Sequence, residues 1–256
     1  MLEVCNVSVT FGGLAALSDV SFNVGASEVA SVIGPNGAGK TTLFNVITGF
    51  RRPTRGDVAF SGQPLVGRIP SDVARAGVVR TFQKTEVFPG LTLFECARMG
   101  SLCHQRFTVW DAIARGKRLR DFERKAGERA RELLDFVGLG GKEKQLAGAL
   151  SYGEQRLLEV AVGLAADPRL LLLDEPASGM NPDEAERMGS LIAKLRQRSI
   201  SVLLVEHNMA LVMDISDRII VLHHGVKIAE GTPDHVANDR RVVEAYLGSG
   251  WGDAQG

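Results

Sequence analysis

The feature that most constrains this chain is one octet, Gly34-Pro35-Asn36-Gly37-Ala38-Gly39-Lys40-Thr41, which fits the pattern GxxxxGK[ST]. Before it stands Val29-Ala30-Ser31-Val32-Ile33, which reads as a strand. After it, Thr41 to Thr48 reads as a helix stopped by Gly49. Glycines let successive backbone N–H groups turn inward and approach phosphate oxygens with no Cβ in the way. The helix N-terminus adds a positive dipole end and free donors. Lys40 is expected to reach the β- and γ-phosphates and Thr41 to offer its hydroxyl to Mg²⁺, with Thr42 completing the phosphate-binding run. An ordinary turn before a helix needs neither Lys nor Thr at those places. Taken alone, the loop says only that a nucleotide is bound, because kinases, GTPases, motors and transport ATPases share it.

A second motif adds chemistry. Leu170-Leu171-Leu172-Leu173 is the apolar run expected of a strand buried on both faces. It ends at Asp174-Glu175, before a turn at Pro176. Asp174 suits a Mg²⁺ contact, direct or through water. Glu175 can reach a water in line with the γ-phosphate, and phosphoryl transfer needs both charge neutralisation and an oriented nucleophile. Ile200 to Val205 reads as another buried strand. Strands alternating with helices predict an α/β fold built on a mostly parallel sheet. Leu2 to Val9, Ala15 to Val24 and Asp57 to Phe60 are short, lie near glycines, and predict an antiparallel sheet at the N-terminus. About Thr92 to Leu139 reads as helical. Within it, Arg115 to Arg131 holds eight basic residues against three acidic ones, which reads as a solvated helix face, with a face near anionic lipid headgroups as the alternative.

Composition narrows the surroundings. Thirty Lys and Arg balance thirty Asp and Glu, so the net charge is zero. The basic surplus of a general nucleic-acid binder is lacking. Three scattered cysteines, Cys5, Cys96 and Cys103, form no disulfide framework or zinc spacing, as expected of reduced thiols in a cytosolic protein. The opening Met1-Leu2-Glu3-Val4-Cys5-Asn6 lacks the pattern of a signal peptide. No stretch approaches the roughly 18 apolar residues of a membrane span.

Leu150-Ser151-Tyr152-Gly153-Glu154-Gln155 lies upstream of the acidic strand. Ser151 with Glu154 three residues on is a capping box that starts a helix. A capped N-terminus with Gly153 in its first turn is also an anion site. With the two motifs above, this segment resembles the LSGGQ-like signature of the ATP-binding cassette (ABC) family, with Tyr152 in place of the first Gly. The resemblance covers nearly the whole chain. It implies a P-loop NTPase core at 1–83 and 161–256, with an N-terminal antiparallel β subdomain and an inserted helical subdomain at 84–160. It implies ATP with Mg²⁺, and a dimer in which Ser151, Gly153 and Glu154 of one subunit meet the γ-phosphate held by the other.

Single positions carry over from the same resemblance. Gln83, in Arg80-Thr81-Phe82-Gln83, matches the glutamine that contacts Mg²⁺ and the attacking water. His207, after Glu206, matches the switch histidine at the γ-phosphate. Phe11 stands where the family stacks an aromatic ring on adenine. Asn181 departs from the usual Asp of the D-loop, yet Asn181-Pro182-Asp183-Glu184 is also a good helix start. Glu175, His207, Gln83 and Lys40 are thus the expected catalytic set. Val87, Phe88 and Leu91 are candidate contacts for a helix of a membrane subunit, with core packing as the alternative.

Several segments look like the larger ATPase subunit of branched-chain amino-acid importers. These are Phe11 to Leu17, Glu175 to Pro182, Val205 to Met209, the insertion with Trp110, and the tail with Glu230 to Pro233 and Ala245 to Gly248. That likeness implies a peripheral protein on the cytoplasmic face of the inner membrane. It would work with a second ATPase, permease subunits and, indirectly, a substrate-binding protein, and with no nucleic acid. Relatives importing urea or other amides and a lipopolysaccharide-export ATPase are similar. A soluble ABC ATPase without a transport role is a further alternative.

Overall fold

The computed structural model describes residues 1–81, 88–104 and 117–251. Strands β1 (Leu2–Phe11), β2 (Leu14–Val24), β4 (Arg55–Phe60) and β5 (Gln63–Pro64) form an antiparallel sheet in the order β2-β1-β4-β5. Strands β3 (Val29–Ile33), β6 (Val78–Arg80), β7 (Leu170–Asp174), β8 (Ser201–Val205), β9 (Arg218–His223) and β10 (Val226–Gly231) form a second sheet. Its order is β10-β9-β3-β8-β7-β6, and only the β9–β10 pair is antiparallel. The antiparallel strands β1, β2 and β4 and the parallel strands β3, β7 and β8 match the apolar runs, and β5, β6, β9 and β10 extend the two sheets beyond them.

The two faces of the parallel sheet bury different partners, because side chains alternate along a strand. Leu170, Leu172, Leu203 and Val205 join Leu43, Phe44 and Ile47 of helix α1 (Lys40–Ile47) and the inner face of the antiparallel sheet. Leu171, Leu173, Val202 and Leu204 face the other way, into a core with the remaining large helices. These are α3 (Leu93–Gly100), α4 (Lys117–Phe136), α5 (Tyr152–Ala165), α6 (Pro182–Gln197) and α7 (Met209–Ile215). Helix α2 (Pro70–Arg75) precedes β6, while α8 (Pro233–Ala237) and α9 (Arg240–Trp251) follow β10. Helix α1 is thus clamped between two sheets. That arrangement holds the turn before it in place.

The stretch expected to be helical from about Thr92 to Leu139 is two helices, α3 and α4. Residues 105–116, with Trp110, lie outside the described residues. Helix α3 stops at Gly100 and passes into a 3₁₀ turn, Ser101–His104. The basic face of α4 is solvated as expected, with Arg124 paired to Glu128 and Arg129 to Glu132. Among the described residues, no helix is long and apolar enough to cross a membrane.

Candidate nucleotide site

Parallel strands deliver their C-terminal ends to one edge of the sheet, and there the octet, the acidic pair and His207 converge. Strand β3 leads into the glycine turn and β7 ends at Asp174. The register sets Asp174 beside Val205 of β8, and Val205 beside Val32 of β3. Crevices at such strand ends are the usual ligand sites of open parallel sheets.

The loop is stiff before any ligand is considered. Gly34 has φ +148°, and a Cβ there would lie 2.0 Å from the Leu222 carbonyl oxygen. No other residue fits. Gly39 caps α1 in the left-handed region. Asn36 and Gly37 are exposed, and so is Thr41, whereas Ala38 is buried and Pro35 and Thr42 are half-buried. The Lys40 side chain folds back over the loop, and its Nζ donates to the carbonyls of Gly34 (2.6 Å) and Pro35 (3.0 Å). Burial lowers the Lys40 pKa, and the nearby Glu175 and Asp174 carboxylates oppose that shift. Those carboxylates therefore lie within electrostatic reach of the ammonium.

Asp174 is buried, and its Oδ2 accepts from Arg80 at 2.6 Å, while Arg80 also donates to Asn45 Oδ1 at 2.6 Å. Its Oδ1 is buried and makes no hydrogen bond. Arg80 was legible only as a neighbour of Gln83; its pairing with Asp174 needs the parallel β6–β7 register, which no local pattern announces. Glu175 has φ +50°, a left-handed backbone uncommon for a non-glycine residue, which it shares with residues such as Asn6 and Ser61. Its N–H donates to the Val205 carbonyl, and its Oε1 stands 3.3 Å from His207 Nε2. Glu206, which sequence reasoning passed over, is buried and holds the loops around this pair. Its Oε1 accepts from Ala177 N–H, and its Oε2 accepts from the N–H groups of His207 and Asn208. A carboxylate directly after an apolar strand and next to the histidine was the available signal.

Phe11 sits at the end of β1, exposed, with the Arg51 guanidinium 4.0 Å above its ring. Gln83 and Val87 lie outside the described residues. Phe88 is exposed, whereas Leu91 packs against the core.

The signature segment is elsewhere. Ser151 caps α5 with the expected reciprocal box: Glu154 N–H donates to Ser151 Oγ, and Ser151 N–H donates to Glu154 Oε2. Asn181 caps α6 in the same way with Glu184. The two helix starts touch, for a Cβ on Gly153 would lie 2.6 Å from Glu184 Oε1. Helix α5 packs on the sheet face opposite α1, so the sheet separates the helix that follows the phosphate loop from the helix that the signature starts.

The ABC transporter family profile matches residues 17–178. That of the branched-chain amino acid ATP-binding cassette transporter matches residues 226–251. Over 249 residues the chain is 43% identical to the high-affinity branched-chain amino acid transport ATP-binding protein BraF of Pseudomonas aeruginosa, covering 97% of this chain and 98% of the relative. It is 40% identical to the corresponding protein LivG of Escherichia coli K12, with the same coverage. A crystal structure of an ATP-binding cassette of an ABC transporter in its ADP conformation superposes with a TM-score of 0.85 at 32% identity, covering 97% of this chain and 98% of that one. With the phosphate loop, signature and acidic strand end in that order along the sequence, the chain belongs to the ABC transporter ATP-binding family.

Proposed function

We propose that this chain is the ATP-hydrolysing subunit of an importer for branched-chain or other hydrophobic amino acids or related small amides. The observation that carries the chemistry is the meeting of Glu175 and His207 beside Lys40 and Asp174. The relatives that share 40–43% identity over nearly the whole chain carry the transport assignment.

In this reading the loop from Gly34 to Thr42 cradles the phosphates through its backbone N–H groups. Lys40 gives up its carbonyl partners for the β- and γ-phosphates. Phe11 supports the adenine, with Arg51 moving aside or sharing the stack. Asp174 and Thr41, with Gln83, would hold Mg²⁺. The orphaned Oδ1 of Asp174 fits that ion, because a buried carboxylate oxygen without a donor is costly unless a cation or water meets it. The ion would neutralise charge developing on the phosphoryl oxygens. Glu175 orients the attacking water and accepts its proton. His207, 3.3 Å away, steadies that carboxylate and reaches the γ-phosphate.

As the family resemblance implies, a second subunit would supply Ser151, Gly153 and Glu154 to each nucleotide. We assign residues 1–83 and 161–256 to the nucleotide-binding core and 84–160 to the inserted helical subdomain. Between them lies a cavity of about 810 Å³ whose walls include Phe88, Met99 and Cys103. We take it as the dock for a permease subunit at the cytoplasmic face of the membrane.

The test is uptake of labelled leucine, isoleucine and valine by cells with and without this chain. Loss of uptake, restored by the wild-type chain and not by Glu175→Gln, is expected. Unchanged uptake of all three overturns the substrate assignment.

A further inference from the structure

Arg80 is a charged side chain beside the site for which the nucleotide chemistry above has no use. It ends β6, the edge strand of the parallel sheet, and its side chain is only 12% exposed. One arm of its guanidinium donates to Asp174 Oδ2 at 2.6 Å, and the other donates to Asn45 Oδ1 at 2.6 Å. The guanidinium carbon also lies 5.6 Å from the centre of the Phe44 ring. A planar fork held at both arms and next to a ring has little freedom left to turn.

Its two acceptors sit on the two elements that carry the candidate metal ligands. Asp174 ends β7. Asn45 stands four residues after Thr41 on α1, and residues four apart share one side of a helix. The fork therefore spans from the Asp174 carboxylate to the helix whose first turn carries Thr41. Because Oδ2 of Asp174 is taken, that carboxylate cannot turn without breaking the ion pair, and its Oδ1 is left with no hydrogen bond. Neutralising Asp174 does not by itself require this arrangement. A lysine would bring the same charge as a point on a flexible stem, without the rigid fork that fixes a spacing.

We propose that Arg80 is a positioning residue for Mg²⁺: its guanidinium sets the spacing between Asp174 and Thr41 and keeps Asp174 Oδ1 free for the ion. The proposal rests on the reading of those two residues as metal ligands and of Gly34 to Thr42 as the nucleotide loop. Arg80 acts through Asp174 and α1. Its charge works against the ion, since a fixed cation beside a carboxylate weakens the pull of that carboxylate on a second cation. Its benefit is therefore geometric, and a variant that keeps the charge but loses the fork isolates it.

The experiment uses the full chain with Arg80→Lys. Affinity for a fluorescent ATP analogue is measured as Mg²⁺ is titrated, and again in EDTA. The Mg²⁺ concentration at half effect is expected to rise about fivefold, the scale of one hydrogen bond, with affinity in EDTA within about twofold of wild type. An unchanged Mg²⁺ requirement would mean that the charge of Arg80 suffices, and overturns the proposal. An equal loss of affinity with and without Mg²⁺ would mean that Arg80 supports the loop rather than the ion, and overturns it as well. Should Arg80→Lys fail to fold, Asn45→Ala keeps the ion pair and cuts the tie to α1. That variant is expected to raise the Mg²⁺ requirement about threefold, and an unchanged requirement again overturns the proposal. Failure of wild type to bind the analogue would instead strike the nucleotide reading. Wild-type binding that ignores Mg²⁺ would strike the reading of Asp174 and Thr41 as its ligands, so the failures are separable.

Discussion

Glu175 combines a left-handed backbone with a carboxylate 3.3 Å from His207, at the strand end where Asp174 also lies. Replacing it with Gln keeps the shape and removes the carboxylate proposed above as the base. Glu175→Gln is therefore expected to retain ATP binding and to lose about 100- to 10,000-fold in hydrolysis, the range that positioned general bases supply. A phosphate-release assay beside equilibrium nucleotide binding checks both halves. Turnover within a few-fold of wild type would remove Glu175 from the role of base. Glu206, three hydrogen bonds deep in the same loops, acts differently: it fixes where Ala177 and His207 sit and touches no reacting group.

At the scale of elements, three helices begin with the same device. Thr92, Ser151 and Asn181 each accept from the N–H three residues on and receive a glutamate in return. The recurrence explains why Asn181 stands comfortably in place of an aspartate: either side chain can accept the bond from Glu184 N–H. Asn181→Ala removes that acceptor and is expected to cost about 1 kcal/mol, lowering the melting midpoint by about 2–4 °C in a chain of this size. Differential scanning calorimetry reads the shift. A midpoint equal to wild type would mean that Pro182 and Glu184 start the helix without help.

In the whole molecule, the helices that follow the phosphate loop and the signature pack on opposite faces of the parallel sheet, and in the proposed dimer each subunit lends its signature to the nucleotide held by the other. With Glu175→Gln holding nucleotide, ATP is expected to convert the monomer to a dimer. Adding Ser151→Arg is expected to leave ATP binding in place and to abolish that dimer, since the bulky cation fills the ground of the γ-phosphate contact. Size-exclusion chromatography with light scattering, with and without ATP, distinguishes the outcomes. Dimerisation that survives Ser151→Arg would refute the shared site.

Local chemistry determined much of this by itself. The octet, the apolar strands, the capping boxes at Ser151 and Asn181 and the antiparallel N-terminus were all legible, because glycine geometry, side-chain alternation and caps act over a few residues. The order of motifs was enough to point to the family. What only the tertiary structure decided were the contacts between residues far apart in the chain. Arg80 meets Asp174 because β6 lies parallel to β7, and Glu206 ties two loops because β8 runs beside β7. Arg51 covers Phe11, and Tyr246 packs against the core that holds Ile33. Such pairs depend on which strands become neighbours, and that is set by the global burial of two sheets around one helix, a constraint no single stretch of sequence contains.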